Sequence, residues 1–343
     1  MSAEKSYLFH RRFFSHSCRG SPGLTYSFLQ MFLSRGLMGI GQGAVLPASI
    51  ATISSESTPT RRGLNFGLQQ ALSPLVSIGI GAILVTQLTK IMSWRMVFFV
   101  VGIPGLVISL VLYFYMREPK FKLFREKGNV SEGISNKPGF FEPLKYRNVI
   151  VSSAVNSLMM GCLFVFVTFS ILYLTKEIQL SISDAGIIIS LFGFAGFFGC
   201  ILLPLLSDRV GRKPIIIPSL FVTGLCFWGF ILSGSNFLLL VLLISIAGFA
   251  IGGITPIALS ALTTESVPPY LAATASGIPA SIGEIFGSAL MPFLAGYLCD
   301  LYGLKTALFF SAIAPLIAGF VGLFYKETAP KVVGAFCGDS NGQ

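Results

Sequence analysis

Two charged side chains stand deep inside apolar runs of this 343-residue chain, where hydrocarbon would leave them unsolvated: Arg35, within the run over 24–53, and Glu284, in "PASIGEIFGSAL". A charge at the centre of a bilayer costs roughly 2.5 to 3.5 kcal/mol on insertion scales, so such groups normally face a wet cavity or a partner. Arg35 has the chemistry to hold an anionic group or to assist proton movement, with snorkelling to an interface as the competing role. The Glu284 carboxyl can take up and release a proton in step with a solute, or be held at a helix interface by a polar neighbour. Gln42 lies about two helical turns beyond Arg35, near its face, and its amide hydrogen-bonds without titrating. Asn65, Gln69, Ser73 and Ser77 recur every fourth residue and form a slowly drifting polar stripe. Amides aimed at lipid would be unsatisfied, so this stripe should meet protein or water. Asn156 is a lone amide in a later run and a weaker cavity candidate. Gly283 and Gly287 flank Glu284 with the small-xxx-small spacing of helix packing.

A second cluster is "LLSDRVGRKP" (205–214), a charged knot between apolar runs. A short turn at a membrane surface needs a residue that tolerates positive φ, which Gly211 supplies. Arg209, Arg212 and Lys213 would hold the turn on the cytoplasmic side, and Asp208 could accept hydrogen bonds at a helix N-terminus. Other chemistries lack their parts. Both histidines, His10 and His16, lie near the start, and the six cysteines have no CxxC spacing. No metal site, cofactor or enzyme activity is expected.

The elements that must position these groups follow from composition. With 53% hydrophobic residues, 11% charged and a mean hydropathy of +0.79, the chain cannot be a soluble globule, and the expected class is an all-α polytopic membrane protein. Apolar runs long enough to span fall at 24–53, 63–89, 94–116, 148–174, 185–206, 214–233, 236–262, 268–298 and 303–325, which predicts nine transmembrane helices. The expected organisation is a basic tail (1–23), a three-helix bundle (24–116), a polar linker (117–147), a six-helix bundle (148–325) and a tail (326–343). Fifteen Lys/Arg fall in loops on the linker's side and four on the other, which predicts a cytoplasmic linker and C-terminus in a multi-pass protein of the cell membrane. The net charge of +10 belongs to those loops, and no nucleic-acid partner is expected.

At a constant offset of 209 residues, "GIGQGAVLPASIATISSESTP" (39–59) lies over "GFAIGGITPIALSALTTESVP" (248–268), pairing Gly39 with Gly248, Pro47 with Pro256 and Glu56 with Glu265. The register continues to Arg117 and Glu118, which fall on Lys326 and Glu327. The first three helices thus read as a copy of the last three, and helices four to six have no counterpart ahead of residue 24. The basic tail stands in their place, and the expectation is a shortened or alternative start, with an organelle transit peptide as the competing reading.

Paired helix blocks, a long linker and "SDRVGRK" resemble the major facilitator superfamily of secondary transporters. "RGLMGIGQG" (35–43) looks like the RxxxGxG signature of the family's fourth helix, and "SWRMVFFVVGIPGL" (93–106) like the start of its sixth. Pro204 departs from the pattern, which places Gly four residues before Asp208. The resemblance implies that Arg35 contacts an anionic substrate or aids proton coupling. Members that import organic anions with protons often have a glutamate where Gln42 stands. It further implies that the 63–89 helix lies between the two halves, although the glycine-rich pattern of drug/proton antiporters is missing from "SPLVSIGIG". Asp208 would lock one half against the other at the helix start near Gly63, Glu265 would pair with Arg212, and Glu56 would be left without its partner turn.

The function expected from the sequence is a secondary active transporter of a small organic solute, an organic anion by the hint of Arg35, with protons as the candidate coupling ion. Its other expected partner is the lipid bilayer, and its expected state is a monomer. The competing functions are a drug or metabolite efflux antiporter, a truncated inactive product, and a non-transporting membrane sensor.

Overall fold

A computed structural model of the chain describes residues 26–42, 62–115, 141–268 and 271–328. The described residues form helices joined by turns: α1 (Phe28–Gln42), α2 (Arg62–Pro74, Leu75–Ile80 and Gly81–Ile91 in one run) and α3 (Trp94–Tyr115). After a 3-10 turn at Glu142–Lys145 come α4 (Arg147–Lys176), α5 (Ile182–Val210) and α6 (Lys213–Leu232). The chain continues with α7 (Phe237–Pro256, Ile257–Ala261 and Leu262–Glu265), α8 (Ala272–Ile282, Gly283–Leu290 and Met291–Tyr302) and α9 (Lys305–Gly322). Seven stretches, within α2 and in α4 to α9, are long and apolar enough to cross a membrane, and Trp94–Ile108 is a shorter apolar one. α1 is described over fifteen residues, and the rest of its apolar run lies outside the described residues.

The middle segments of α2, α7 and α8 are π-helical. Two of them directly follow Pro74 and Pro256, and the third follows Pro279. Proline removes a backbone donor and crowds the carbonyl four residues earlier, and a widened turn relieves both effects.

Contacts divide the chain into two compact units, one of residues 1–66 and 84–134, the other of residues 67–83 and 135–343. In the first unit the Arg95 guanidinium lies 4.4 Å from the Trp94 ring centre and 5.5 Å from that of Tyr26, an aromatic-cation arrangement suited to a membrane interface. In the second, Phe166 stacks on Phe227 with centroids 4.2 Å apart, and Tyr173, Phe192 and Phe230 complete an aromatic core between α4, α5 and α6. The α5 and α7 backbones touch along glycines: a Cβ on Gly199 would collide with the Phe249 carbonyl, and one on Gly252 with that of Gly196. The middle of α2 joins this unit because Gly79 and Gly193 bring its backbone against α5. Ser181 caps α5 by accepting from the Asp184 amide at 3.1 Å, and Asn236 caps α7 by accepting from Leu239 at 3.2 Å. The end of the linker is ordered too, with Leu144 and Tyr146 packed against Val149, Val267 and Leu271.

Candidate functional site

The densest polar construction among the described residues lies at the linker-side end of the second unit. α5 stops because Gly211 takes φ 117°, in the left-handed region, and its amide closes the last turn on the Ser207 carbonyl at 3.0 Å. The turn delivers Arg212 into a buried position, its side chain 8% exposed. There its guanidinium donates from Nη2 to Glu265 Oε1 at 2.9 Å, from Nη1 to Ser207 Oγ at 2.7 Å, and meets Asp208 Oδ1 at 2.5 Å. Burial alone would depress the arginine's pKa, but Glu265 and then Asp208 outweigh it, and the net shift is upward. Glu265, 24% exposed, also accepts from Thr328 Oγ1 at 2.7 Å.

A second acid completes the construction. Glu327 accepts the Arg212 amide at Oε1 (2.8 Å) and the Lys213 amide at Oε2 (2.9 Å), so its carboxylate covers the unpaired donors at the start of α6. Lys213 Nζ donates to the Leu323 carbonyl at 2.8 Å. Asn148, at the start of α4, donates to Ser266 Oγ (2.7 Å) and the Lys326 carbonyl (3.1 Å), and accepts the Lys326 amide (2.9 Å). Tyr325 donates to Ser152 Oγ at 3.2 Å, and Ser152 passes the link to the Ala258 carbonyl in the π-helical part of α7 at 3.1 Å. Residues 325–328 therefore form a strap that ties α4, α6 and α7 together.

Of the residues singled out in the sequence, Asp208, Gly211, Arg212 and Glu265 meet here, while Arg209 is exposed. The acid that covers the start of α6 is Glu327, and the partner of Asp208 within the unit is Arg212. Sequence reasoning missed the structural role of Glu327, although the repeat had pointed at it by placing Glu118 on the same position. Asn148 and Thr328 gave no signal, since each stands at the edge of a polar stretch.

The mid-span candidates separate. Asn156, expected along the translocation path, is 3% exposed and donates from Nδ2 to the Pro279 carbonyl at 2.9 Å, which makes it a fastener between α4 and α8. The enclosure has a steric cause, because Gly283 brings the α8 backbone up against the amide. Gly283 and Gly287 both face α4, so Glu284 is turned away from that packing face and is exposed. Its Oε2 accepts from Ser288 Oγ at 2.6 Å. Gly277, Ser281 and Glu284 share an exposed stripe of small and polar groups, while Phe286, Phe293 and Tyr297 form a separate apolar one. A helix with two such faces matches a position with lipid on one side and a polar space on the other. Gln69 is half-buried on α2, and on the same helix Ser77 donates back to the Ser73 carbonyl at 2.6 Å. The side chains of Arg35, Gln42 and Asn65 lie outside the described residues, as does Glu56.

The Major Facilitator Superfamily profile matches residues 14–286, more than half of the chain. The chain belongs to the major facilitator superfamily. Among curated members it is 25% identical over 294 residues to a probable 4-methylmuconolactone transporter of Cupriavidus pinatubonensis, covering 83% of this chain and 66% of that one. It is 25% identical over 198 residues to a hexuronate transporter of Bacillus subtilis (57% and 46% covered), and 24% identical over 321 residues to a probable galactarate/D-glucarate transporter of Escherichia coli (83% and 69%). The chain thus spans less than two thirds of the length of the first two of these relatives. The superfamily fold is also seen in a solved bacterial homologue of the human lysosomal transporter Spinster, in an inward-facing and occupied conformation. That structure aligns at a TM-score of 0.64 and 18% identity, over 93% of this chain and 81% of the other.

Proposed function

We propose that this member of the superfamily is a secondary transporter of a small organic anion, driven by alternating access between two helix bundles and coupled to protons through Glu284. The observation that carries the anion is Arg35, a guanidinium inside an apolar run, which needs an anionic partner to offset its desolvation. The similarity to the hexuronate and galactarate/D-glucarate transporters supports it, since hexuronate, galactarate and glucarate carry carboxylates at neutral pH. For Glu284 the support is an exposed carboxyl at mid-span, away from the packing face and beside the Ser288 hydroxyl. The linker-side network acts as a cytoplasmic clasp: Arg212 and Glu265 hold the α5–α6 turn to α7, and Asp208 braces the Arg212 guanidinium beside them.

Proteoliposome uptake tests the reading. Labelled glucuronate or glucarate should accumulate under an inward proton gradient while a neutral hexose does not. Arg35→Ala should lower anion uptake by about 100-fold, the loss of about 2.7 kcal/mol from one charge-assisted contact. Glu284→Gln should abolish the response to the proton gradient while anion exchange at equal pH persists. Equal uptake of the neutral hexose, or an unaltered Arg35→Ala protein, would reject the anion assignment.

A further inference from the structure

The end of the second unit opposite the linker holds a charged site that transport leaves unused. α4 and α8 touch closely near Gly161 and Gly287, and further along a cavity of about 340 Å³ opens between their ends. Its floor is apolar, made by Phe169 and Leu172 of α4 and by Gly296 of α8, whose missing side chain leaves Phe169 as its nearest neighbour. Its rim is charged, with Lys176 and Glu177 where α4 ends and Asp300 in the last turn of α8. Glu177 already faces Lys305, Oε2 to Nζ 4.0 Å, whereas among the described residues neither Lys176 nor Asp300 makes an ion pair. The rim therefore presents one cation and one anion on different helices, and the floor lies about 6 to 10 Å deeper by helical rise. That depth matches the interfacial layer of a bilayer, and the exposed Tyr297 and Tyr302 of α8 are residues that favour it.

A charged mouth of both signs over an apolar floor, between two membrane-spanning helices, fits an amphiphile with a phosphate and a protonated amine in its head. We propose that this cavity binds a phospholipid with a phosphoethanolamine headgroup from the leaflet opposite the linker. Lys176 takes the phosphate, Asp300 accepts N–H hydrogen bonds from the ammonium, and Phe169 and Leu172 contact the glycerol and the first acyl carbons. A choline head has no N–H to give Asp300, and a glycerol head has no cation, so both bind more weakly.

The test uses the full chain purified in detergent, titrated with phosphatidylethanolamine, phosphatidylcholine or phosphatidylglycerol, with bound lipid counted by native mass spectrometry. Phosphatidylethanolamine adducts should exceed the other two by about fivefold, the scale of one partly exposed ion pair. Lys176→Gln should lower retention of phosphatidylethanolamine and phosphatidylcholine alike, and Asp300→Asn should erase the difference between them. Because both side chains are exposed, the melting temperature of each variant should stay that of the parent, which separates lost binding from lost folding. Alkylation of Cys299, which lines the same cavity, gives a second readout and should slow when phosphatidylethanolamine is present. Equal retention of the three lipids, or variants that behave as the parent, would overturn the proposal. So would soluble phosphoethanolamine protecting Cys299 as well as the lipid does, since the site would then belong to a free zwitterion.

Discussion

α2 and α8 occupy equivalent places in the 209-residue repeat, and each carries the same backbone irregularity. Shifted by that offset, the π-helical segment Leu75–Ile80 falls on 284–289, inside the π-helical segment Gly283–Leu290. Both spans are only 17% buried, against 44 to 50% for α4, α5, α6, α7 and α9, so each shows wide exposed faces where the other helices are enclosed. In both, a serine hydroxyl lies within hydrogen-bond distance of the carbonyl four residues earlier, Ser77 of Ser73 and Ser288, shared with the Glu284 carboxylate, of Glu284, a contact that bends helices. Their chemistry differs. α2 exposes hydroxyls and leaves the amide of Gln69 half-buried, while α8 exposes a carboxylate. The repeat thus carries over the bend and the exposure, which the architecture needs twice, and leaves the titratable group to one copy.

The packing of the two helices differs as well, and substitutions can break the parallel. A Cβ on Gly287 would stand 2.6 Å from the Ser157 carbonyl and 2.8 Å from the Gly161 amide, backbone atoms that cannot step aside. On Gly79 it would meet nothing closer than 3.4 Å. Gly287→Ala should cost about 3 kcal/mol and Gly79→Ala less than about 0.5 kcal/mol, compared by thermal unfolding in detergent. Equal losses would mean that the two helices are seated alike. Arg212→Ala comes next, because it leaves Glu265 with only the Thr328 hydroxyl in a part-buried site. About 2 kcal/mol should be lost, between the values for exposed and buried pairs, and Glu265→Gln in the same protein should recover part of it. Asn156→Ala should cost about 1 kcal/mol of stability through the lost bond to Pro279 and leave the affinity for the proposed organic anion unchanged. An altered affinity at parental stability would return Asn156 to the translocation path. The smallest effect is expected of Asp208→Asn, about 0.5 kcal/mol or less, because that side chain is 55% exposed and Arg212 keeps Glu265. A transport defect without a stability defect in that variant would place the role of Asp208 outside its own unit.

Much of this protein follows from the order of its residues. Hydropathy is additive along a chain, so the membrane-spanning runs, the polar linker and the 209-residue repeat can be read without coordinates, and so can the tight turn that Gly211 allows. The Arg212–Glu265 contact was implied by the resemblance of "SDRVGRK" to the family's turn, not by the spacing of the charges. What the sequence cannot carry is rotation about each helix axis and the distance between axes, which arise from packing between segments far apart in the chain. Those decide that Asn156 is enclosed by Gly283 while Glu284, one residue further on, is turned outward. They bring Glu327 across 115 residues to the start of α6, where two free amides await a carboxylate. The widened turns in α2 and α8 belong to the same class: proline marks where a helix is stressed, but only its neighbours determine whether it breaks, kinks or takes in an extra residue.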